Sequence, residues 1–489
     1  MKKNDHILIS GIAAYSFLFS EQNAGINFLI FSLVLIILLL IKNKTLISDS
    51  KWCWAALMVL FSGVCIFIHS SAISIFANIF SLFLLSAFSF NSKTSAILSF
   101  AFSIYSILSS LVWMILDAIS RDKQSKSEPA SSKNYKWLGI IIVSVVSILF
   151  FILYKNSNPL FAEYTKWINF DFITITWVFF TVGGTFLMYA FFYHKTIPII
   201  ENWENGLKVN LEARFTDEGQ QKKLDTQRVS IITLFTLLNL MLVVINIGDF
   251  NTIILGGALP KGIKHSDFVH NGVGALIFSI VLAIGIIMVF LRGNLNFVKG
   301  NGVFKMLILV WILQNLFMLV STSYRNDLYI QEFTLTYKRI GVYVWLCLAF
   351  IGLIITAIKV HKNKSNWYLI KTNIALWFTV LTLSSSVDWD LTITRYNLKH
   401  KSIQDIDYYY LFGMSDTNIP EMLQFCIEKA KLEKKGTLAP GRTREQYYSS
   451  IPYISEMRYK IHDYIINRQN DWRSWDLRDD RIAKSLNLK

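Results

Sequence analysis

Apolar positions in this chain gather into long unbroken runs, of which "INFLIFSLVLIILLLI" at 26–41 is the plainest, and polar positions gather between them. A hydrocarbon core of about 30 Å is crossed by roughly 20 apolar helical residues, so runs of this length predict membrane spans. They recur at 26–41, 52–69, 71–90, 94–116, 137–154, 173–193, 229–248, 273–291, 303–322, 335–358 and 367–387. In lipid each span must pair its own backbone groups, and long runs bounded by Lys, Asn and Asp suit helices rather than barrel strands. The pattern predicts an all-α fold, a polytopic transmembrane helical bundle of about 11 spans. A twelfth is open at "ILISGIAAYSFLF" (7–19), which is short for a span and also reads as an interfacial or half-inserted helix or a signal-peptide core.

The runs stop near residue 390. From 391 to 489 Tyr, Asp, Lys and Arg replace them, and helix signals become local. Ser415 or Thr417 can cap "IPEMLQFCIEKAKLEKK", Pro420 sits in its first turn and Gly436 follows its lysine-rich end. Further helices are expected in "SEMRYKIHDYIINRQ" and "SWDLRDDRIAKSLNL". The expected division is therefore a multi-pass transmembrane domain, 1–390, and a soluble, mainly helical C-terminal domain, 391–489. The mixed-charge segment 201–230 reads as a solvated linker or a short hairpin before the next span.

Charge supplies the orientation. Lys and Arg collect at 120–136, 195–228, 292–305 and 359–364, which the positive-inside rule places in the cytoplasm. Segments 155–172, 249–272 and 323–334 then lie outside, with everything after 388, and the expected location is the bacterial cytoplasmic (inner) membrane with an extracytoplasmic C-terminal domain. One loop resists: "KNKTLISDSK" (42–51) carries three lysines yet falls outside.

Composition agrees with the pattern, since 53% hydrophobic and 17% charged residues with a mean hydropathy of +0.42 exclude an ordinary soluble domain. The net charge of +15 lies largely in juxtamembrane loops, where bilayer lipid accounts for it, and no nucleic-acid partner is implied. Cys53, Cys65, Cys347 and Cys426 are too far apart for a disulfide framework or a metal-ligand spacing. No G-x-S-x-G elbow, Walker loop, H-E-x-x-H or dinucleotide fingerprint occurs, so no cofactor is expected. Gly183-Gly184 and Gly256-Gly257 read as helix-packing or turn positions.

Several stretches resemble, in order, the landmarks of an uncharacterised bacterial multi-pass membrane protein family of the domain of unknown function 4173 type. They are "NAGINFLIFSLVLIILLL" (23–40), "NPLFAEYTKWINFD" (158–171), "DFVHNGVGALI" (267–277), "YIQEFTLTYKRIGVYVW" (329–345), "TRYNL" (394–398) and "DIDYYYLFGMSDTNIPEML" (405–423). This chain has "FTLT" where the family shows "YGLT", and Asn271 where the family has Glu after the histidine. The resemblance reaches to about residue 425 and implies kinship and a multi-pass fold without an activity.

On the orientation above, the polar landmarks share the outer face. The candidate polar site comprises His265, Asp267, His270, Arg325, Glu332, Arg339, Asp388 and Arg395, with Tyr324, Asp327 and Asp390 beside them. His270, at a helix entrance, suits an interfacial hydrogen-bonding role or a ligand- or proton-handling one. His265 and His270 are five residues apart, off a common helical face, and no other His or Cys completes a zinc set, so no metal is expected. Arg339, close to a span, calls for a partner such as Glu332 or an aspartate.

These features point to a non-enzymatic membrane-anchored interaction, scaffold or sensing component whose C-terminal domain can dock a protein partner. The alternative is a secondary transporter or permease of an unknown solute. Against it, the spans carry uncharged Asn239, Asn246, Gln314, Asn315 and Asn373, while Asp117 and Asp249 stand near span ends. A membrane-embedded enzyme using His270 and an acid is the third reading.

Overall fold

The computed structural model describes residues 3–125, 174–213, 217–251, 265–298, 300–403, 405–433 and 452–488, and most of 150–166, with the backbone alone at 3–4, 118–119, 121–125 and 265–277. Among these residues the only regular secondary structure is helical, apart from one isolated bridge, Asn210 to Lys364. The chain forms two compact units, Met1–Asn202 with Gln469–Arg481, and Trp203–Arg468 with Ile482–Lys489.

The first unit contains α1 (Lys3–Phe19), α2 (Ile26–Lys42), α3 (Ser50–His69), α4 (Ala72–Phe90), α5 (Ala96–Leu108), α6 (Ser110–Ser125), α7 (Pro159–Tyr164) and α8 (Ile175–Phe192). Short polar residues start these helices: Asp49 accepts from the Lys51 and Trp52 amides, and Ser71, Ser95 and Thr174 accept in the same way. The helices pack in sequence, α1 on α2, α2 on α3 and α3 on α4, with α8 returning to α1. Asn78 is fully buried in this stack and donates to Ser32 Oγ (3.2 Å), Val59 O (3.0 Å) and Ser62 Oγ (3.1 Å), which ties α4 to α2 and α3. Only one residue of the 183–184 glycine pair has a packing role. A Cβ on Gly184 would stand 2.2 Å from Tyr15 Cδ1, whereas Gly183 has nothing within 4 Å.

The two ends of this unit are chemically distinct. At the α1–α2 turn the Ile26 amide donates to Trp475 O (2.9 Å) and Arg473 Nη1 donates to Phe17 O (2.6 Å), so residues 469–481 are built onto that turn. At the opposite end of α2, Lys42 Nζ donates to Phe192 O, Asn91 to Glu201, and Lys51 Nζ to Thr94 O (2.9 Å). Segments 42–51, 91–95 and 193–201 therefore gather at one end. This corrects the hydropathy reading, which set 42–51 and 195–228 on opposite sides by treating 94–116 as a straight crossing. The run bends by 68° between α5 and α6. Ser106 before the bend and Asp117 beyond it both meet Lys195 at that end: Lys195 Nζ donates to Asp117 Oδ2 (3.0 Å) and the Lys195 amide to Ser106 Oγ (3.2 Å).

The chain passes to the second unit within α9 (Pro198–Asn205) and continues as α10 (Glu218–Asp249), α11 (His265–Phe290), α12 (Gly302–Phe333), α13 (Tyr337–His361), α14 (Asn366–Ser384), α15 (Trp389–His400), α16 (Tyr408–Phe412), α17 (Ile419–Glu433) and α18 (Pro452–Asn467); α19 (Leu477–Ser485) begins in the first unit and ends in the second. Helices α10, α12 and α13 close over Ile231, Phe235, Phe304, Ile308, Trp311 and Leu353, with Ile280 and Ile287 of α11. Helices α10 and α12 run parallel: Asn239 Nδ2 donates to Leu307 O (2.9 Å), Asn246 Nδ2 to Gln314 O (3.3 Å), and Ser321 Oγ to Asp249 Oδ2 (2.7 Å), each contact further along both helices. At one end of the unit Lys305 Nζ reaches Asn363 Oδ1 (2.7 Å) and Lys364 Nζ reaches Asn210 Oδ1 (2.6 Å), which collects the basic segments.

At the other end a second apolar cluster joins Ile330, Leu335 and Ile340 to Ile393, Leu411, Ile419, Met422, Phe425, Tyr453 and Met457. Residues beyond 390 thus complete the turn between α12 and α13. Contacts partition the chain differently from hydropathy, which separates lipid-facing from water-facing residues whatever they pack against.

Six described helices are long and apolar enough to cross a membrane: α3, α4, α8, α10, α12 and α13, with the bent α5–α6 pair as a seventh if it counts as one span. Helix α2 and the described part of α11, Phe278–Phe290, are apolar but shorter, as is Asp5–Phe19 within α1. The expected run 367–387 forms α14, which is not among the six. Most of 137–154, and Gly256-Gly257, lie outside the described residues.

Candidate functional site

The site is built on the turn that joins α12 to α13. Thr334 closes α12 with φ of 81°, in the left-handed region, and the backbone then extends through Leu335. Asn397 of α15, itself 4% exposed, grips Leu335 from both sides: the Leu335 amide donates to Asn397 Oδ1 (2.7 Å) and Asn397 Nδ2 donates to Leu335 O (3.0 Å). The turn is thereby held in one conformation.

Arg339 lies in the first turn of α13 and folds back over that turn. Its Nη1 donates to Phe333 O (2.8 Å) and Thr334 O, and its guanidinium lies 4.3 Å from the centroid of the Tyr329 ring. A cation on the terminal carbonyls of a helix is favoured by their partial negative charge. The Nε and Nη2 edge makes no hydrogen bond among the described residues, and Arg339 has no carboxylate partner there. Sequence reasoning expected an ion pair with Glu332 or an aspartate. Glu332 is instead exposed, and only its backbone oxygen is engaged, by Lys401 Nζ (2.5 Å).

Arg339 borders a cavity of about 310 Å³ whose other walls include Thr336, Asn397, Asp405, Asp407 and Tyr410. Asp405 Oδ2 accepts from Ser402 Oγ (2.7 Å), Asp407 Oδ1 accepts from the Tyr410 amide (3.1 Å) to start α16, and Tyr410 Oη accepts from the Tyr337 amide (3.1 Å). Each carboxylate keeps an oxygen without a hydrogen bond among the described residues. One wall thus presents guanidinium N–H groups and another carboxylate oxygens.

Beside the cavity, Asp388 starts α15 by accepting from the Leu391 amide (3.0 Å) and also accepts from Thr417 Oγ1. Asp390 accepts from Tyr337 Oη (2.6 Å) and Ser415 Oγ (2.5 Å). Arg395 reaches Glu421 Oε1 through Nε (2.9 Å) and Nη2 (2.8 Å) on the surface. Lys460, 7% exposed, donates to Phe412 O (3.2 Å) and Met414 O (2.7 Å), and burial pushes its ammonium down to about 8.

The structure therefore brings Arg339, Asp388 and Arg395 to one end of the second unit, and Glu332 to its edge. Arg325 points elsewhere, into the α10–α12 seam, where it pairs with Asp249 with both side chains largely buried. His265, Asp267 and His270 belong to α11 by backbone, and their side chains lie outside the described residues. No group of His, Cys, Asp and Glu fit to hold a metal occurs among the described residues. The sequence reading missed Asn397, Asp405, Asp407 and Tyr410, although all four stand in "TRYNL" and "DIDYYYLF", whose polar side chains were signal enough.

Residues 55–425 match a family model described as a domain of unknown function (DUF4153), and the 4173 type suggested by the landmarks is not the one matched. The match spans α4 to α16 and so contains every wall of the cavity. No curated protein and no solved structure matches the chain.

Proposed function

We propose that this chain, which belongs to the DUF4153 family, is a non-enzymatic sensing or interaction component of a bacterial cytoplasmic membrane, crossing it about ten times with the bent 94–116 run left out. Its recognition site is the Arg339 cavity, on the extracytoplasmic face. The observation that carries the reading is the unpartnered edge of Arg339 across a cavity from Asp405 and Asp407. Such a pair of walls complements a small molecule or a chain terminus bearing both an anionic and a cationic group, because a guanidinium binds carboxylate in a fork and carboxylates bind ammonium. Occupancy would act on the α12–α13 turn, from which both helices run to the basic end of the unit.

The test is the thermal stability of the purified full chain against a panel of free amino acids and dipeptides. One member should raise Tm in the unaltered protein, and Arg339→Gln and Asp407→Asn should each remove the rise, which corresponds to about 2.7 kcal/mol at a hundredfold excess over Kd. A panel that leaves Tm unchanged, or variants that respond equally, would sink the assignment.

The transporter reading has one observation in its favour, the polar seam between α10 and α12. Gln314 Nε2 donates to Asn239 Oδ1 (2.6 Å), and the seam ends at the buried Asp249–Arg325 pair. Charged groups within spans mark solute paths in many carriers. Liposomes that accumulate a solute with the unaltered chain and not with Asp249→Asn would favour transport over sensing.

A further inference from the structure

Lysines crowd the end of the first unit where α2 stops, and a groove opens there. Its walls are Leu39 and Lys42 of α2, Asn43 and Leu46 of the 3₁₀ turn Lys44–Ser48 and its cap, and Ser89 and Phe90 of α4, enclosing about 390 Å³. We propose that this groove is a headgroup site for an anionic phospholipid, with the phosphate held by Lys42 and Asn43 and its hydrocarbon against Phe90. The site is independent of the Arg339 cavity and belongs to the other unit.

Donors at the groove outnumber their acceptors. The Lys42 ammonium carries three N–H groups and has one described acceptor, Phe192 O, while the Phe90 and Tyr193 rings lie 4.4 and 5.4 Å from it. Asn43 Oδ1 is occupied by Thr45, through the amide (3.1 Å) and Oγ1 (2.8 Å), so the Asn43 NH₂ is left without a partner among the described residues. Neighbouring carboxylates are engaged elsewhere: Asp49 accepts from the Lys51 amide (2.9 Å), and Glu201 from Asn91 and Thr196 Oγ1 (2.8 Å). Lys44 and Lys93 are exposed beside the groove and add positive potential.

The remaining surface selects a lipid over a soluble phosphate. Of the apolar lining, Leu39 and Leu46 are buried and Phe90 is exposed, and a free anion leaves the Phe90 ring uncovered. Exposed apolar side chains also flank this end of α2, Ile41 beside Lys42 in the chain and Ile47 beside Leu46. A phosphodiester at the mouth with hydrocarbon against Phe90 satisfies both the lysines and the exposed ring.

The full chain is exchanged into nanodiscs holding equal phosphatidylglycerol and phosphatidylcholine, and the lipid retained after detergent release is counted by native mass spectrometry. Phosphatidylglycerol should be enriched, and Asn43→Leu, which leaves the Lys42 to Phe192 contact intact, should lower the enrichment about fivefold, as should Lys42→Met. If Lys42→Met fails to fold, Asn43→Leu decides. Equal retention of both lipids, or enrichment unchanged in Asn43→Leu, overturns the site. Inorganic phosphate or glycerol phosphate that protects the detergent-purified chain thermally as well as phosphatidylglycerol does would overturn the lipid as the ligand.

Discussion

Asn397 and Arg395 stand two residues apart in α15 and show why charge is a poor guide at the scale of one side chain. Arg395 draws attention in the sequence, yet its side chain is 58% exposed and pairs with Glu421, whose side chain is 18% exposed. A pair whose cation stands in water contributes about 1 kcal/mol. Asn397 carries no charge and holds both polar groups of the Leu335 peptide inside the protein. Removing it leaves a buried N–H and a buried C=O unpaired, at about 1–3 kcal/mol each. Asn397→Leu should therefore destabilise the full chain well beyond Arg395→Ala in a denaturant titration. The reverse order would show that Leu335 is held by its apolar neighbours instead. The same bias placed Arg325 on the outer face, although a long side chain on a helix can turn toward any acidic neighbour, and sequence gave no sign that Asp249 lay within reach.

At the scale of the helix, hydropathy located the runs at 52–69, 71–90, 173–193, 229–248, 303–322 and 335–358, which fall on α3, α4, α8, α10, α12 and α13 apart from a residue or two at their ends. It did not see that α10 and α12 extend to 32 residues each, because charged and polar residues at 218–228 and 323–333 interrupt the apolar runs. A helix of that length is about 48 Å long, so it projects well beyond a core of about 30 Å. Nor did it see the bend at Ser109, since the apolar run continues through it. Parallel packing of α10 on α12 appears in the sequence only as Asn239 and Asn246, then Gln314 and Ser321, each pair seven residues apart. Where the seam ends, Arg325→Met strands Asp249 and should cost about 3–5 kcal/mol, whereas the double variant Asp249→Leu/Arg325→Met should recover most of it. Unfolding of the four proteins in mixed micelles gives the coupling directly. If the two single losses simply add, the groups act separately and the seam is fastened by the amides alone.

For the whole molecule, the loop at 42–51 is the point on which the sequence reading and the contacts part. Hydropathy counts crossings, and one misjudged run reverses every side assigned before it. If the bent α5–α6 pair enters and leaves at one end, 42–51 lies on the side of 193–201, which it contacts, and its three lysines obey the positive-inside rule with the other basic loops. Within the same unit, Trp472 stands by the α1–α2 turn, at the opposite end of a helix about 25 Å long. Single cysteines at Ile47, Ile199 and Trp472, all exposed, test this in a background without the native four. Ile47→Cys and Ile199→Cys should react with an impermeant maleimide only after the membrane is opened, and Trp472→Cys should react in intact cells. Labelling of Ile47→Cys from outside together with protection of Ile199→Cys would mean that 94–116 crosses after all. The lysines of 42–51 would then face the extracytoplasmic leaflet, and the headgroup site with them.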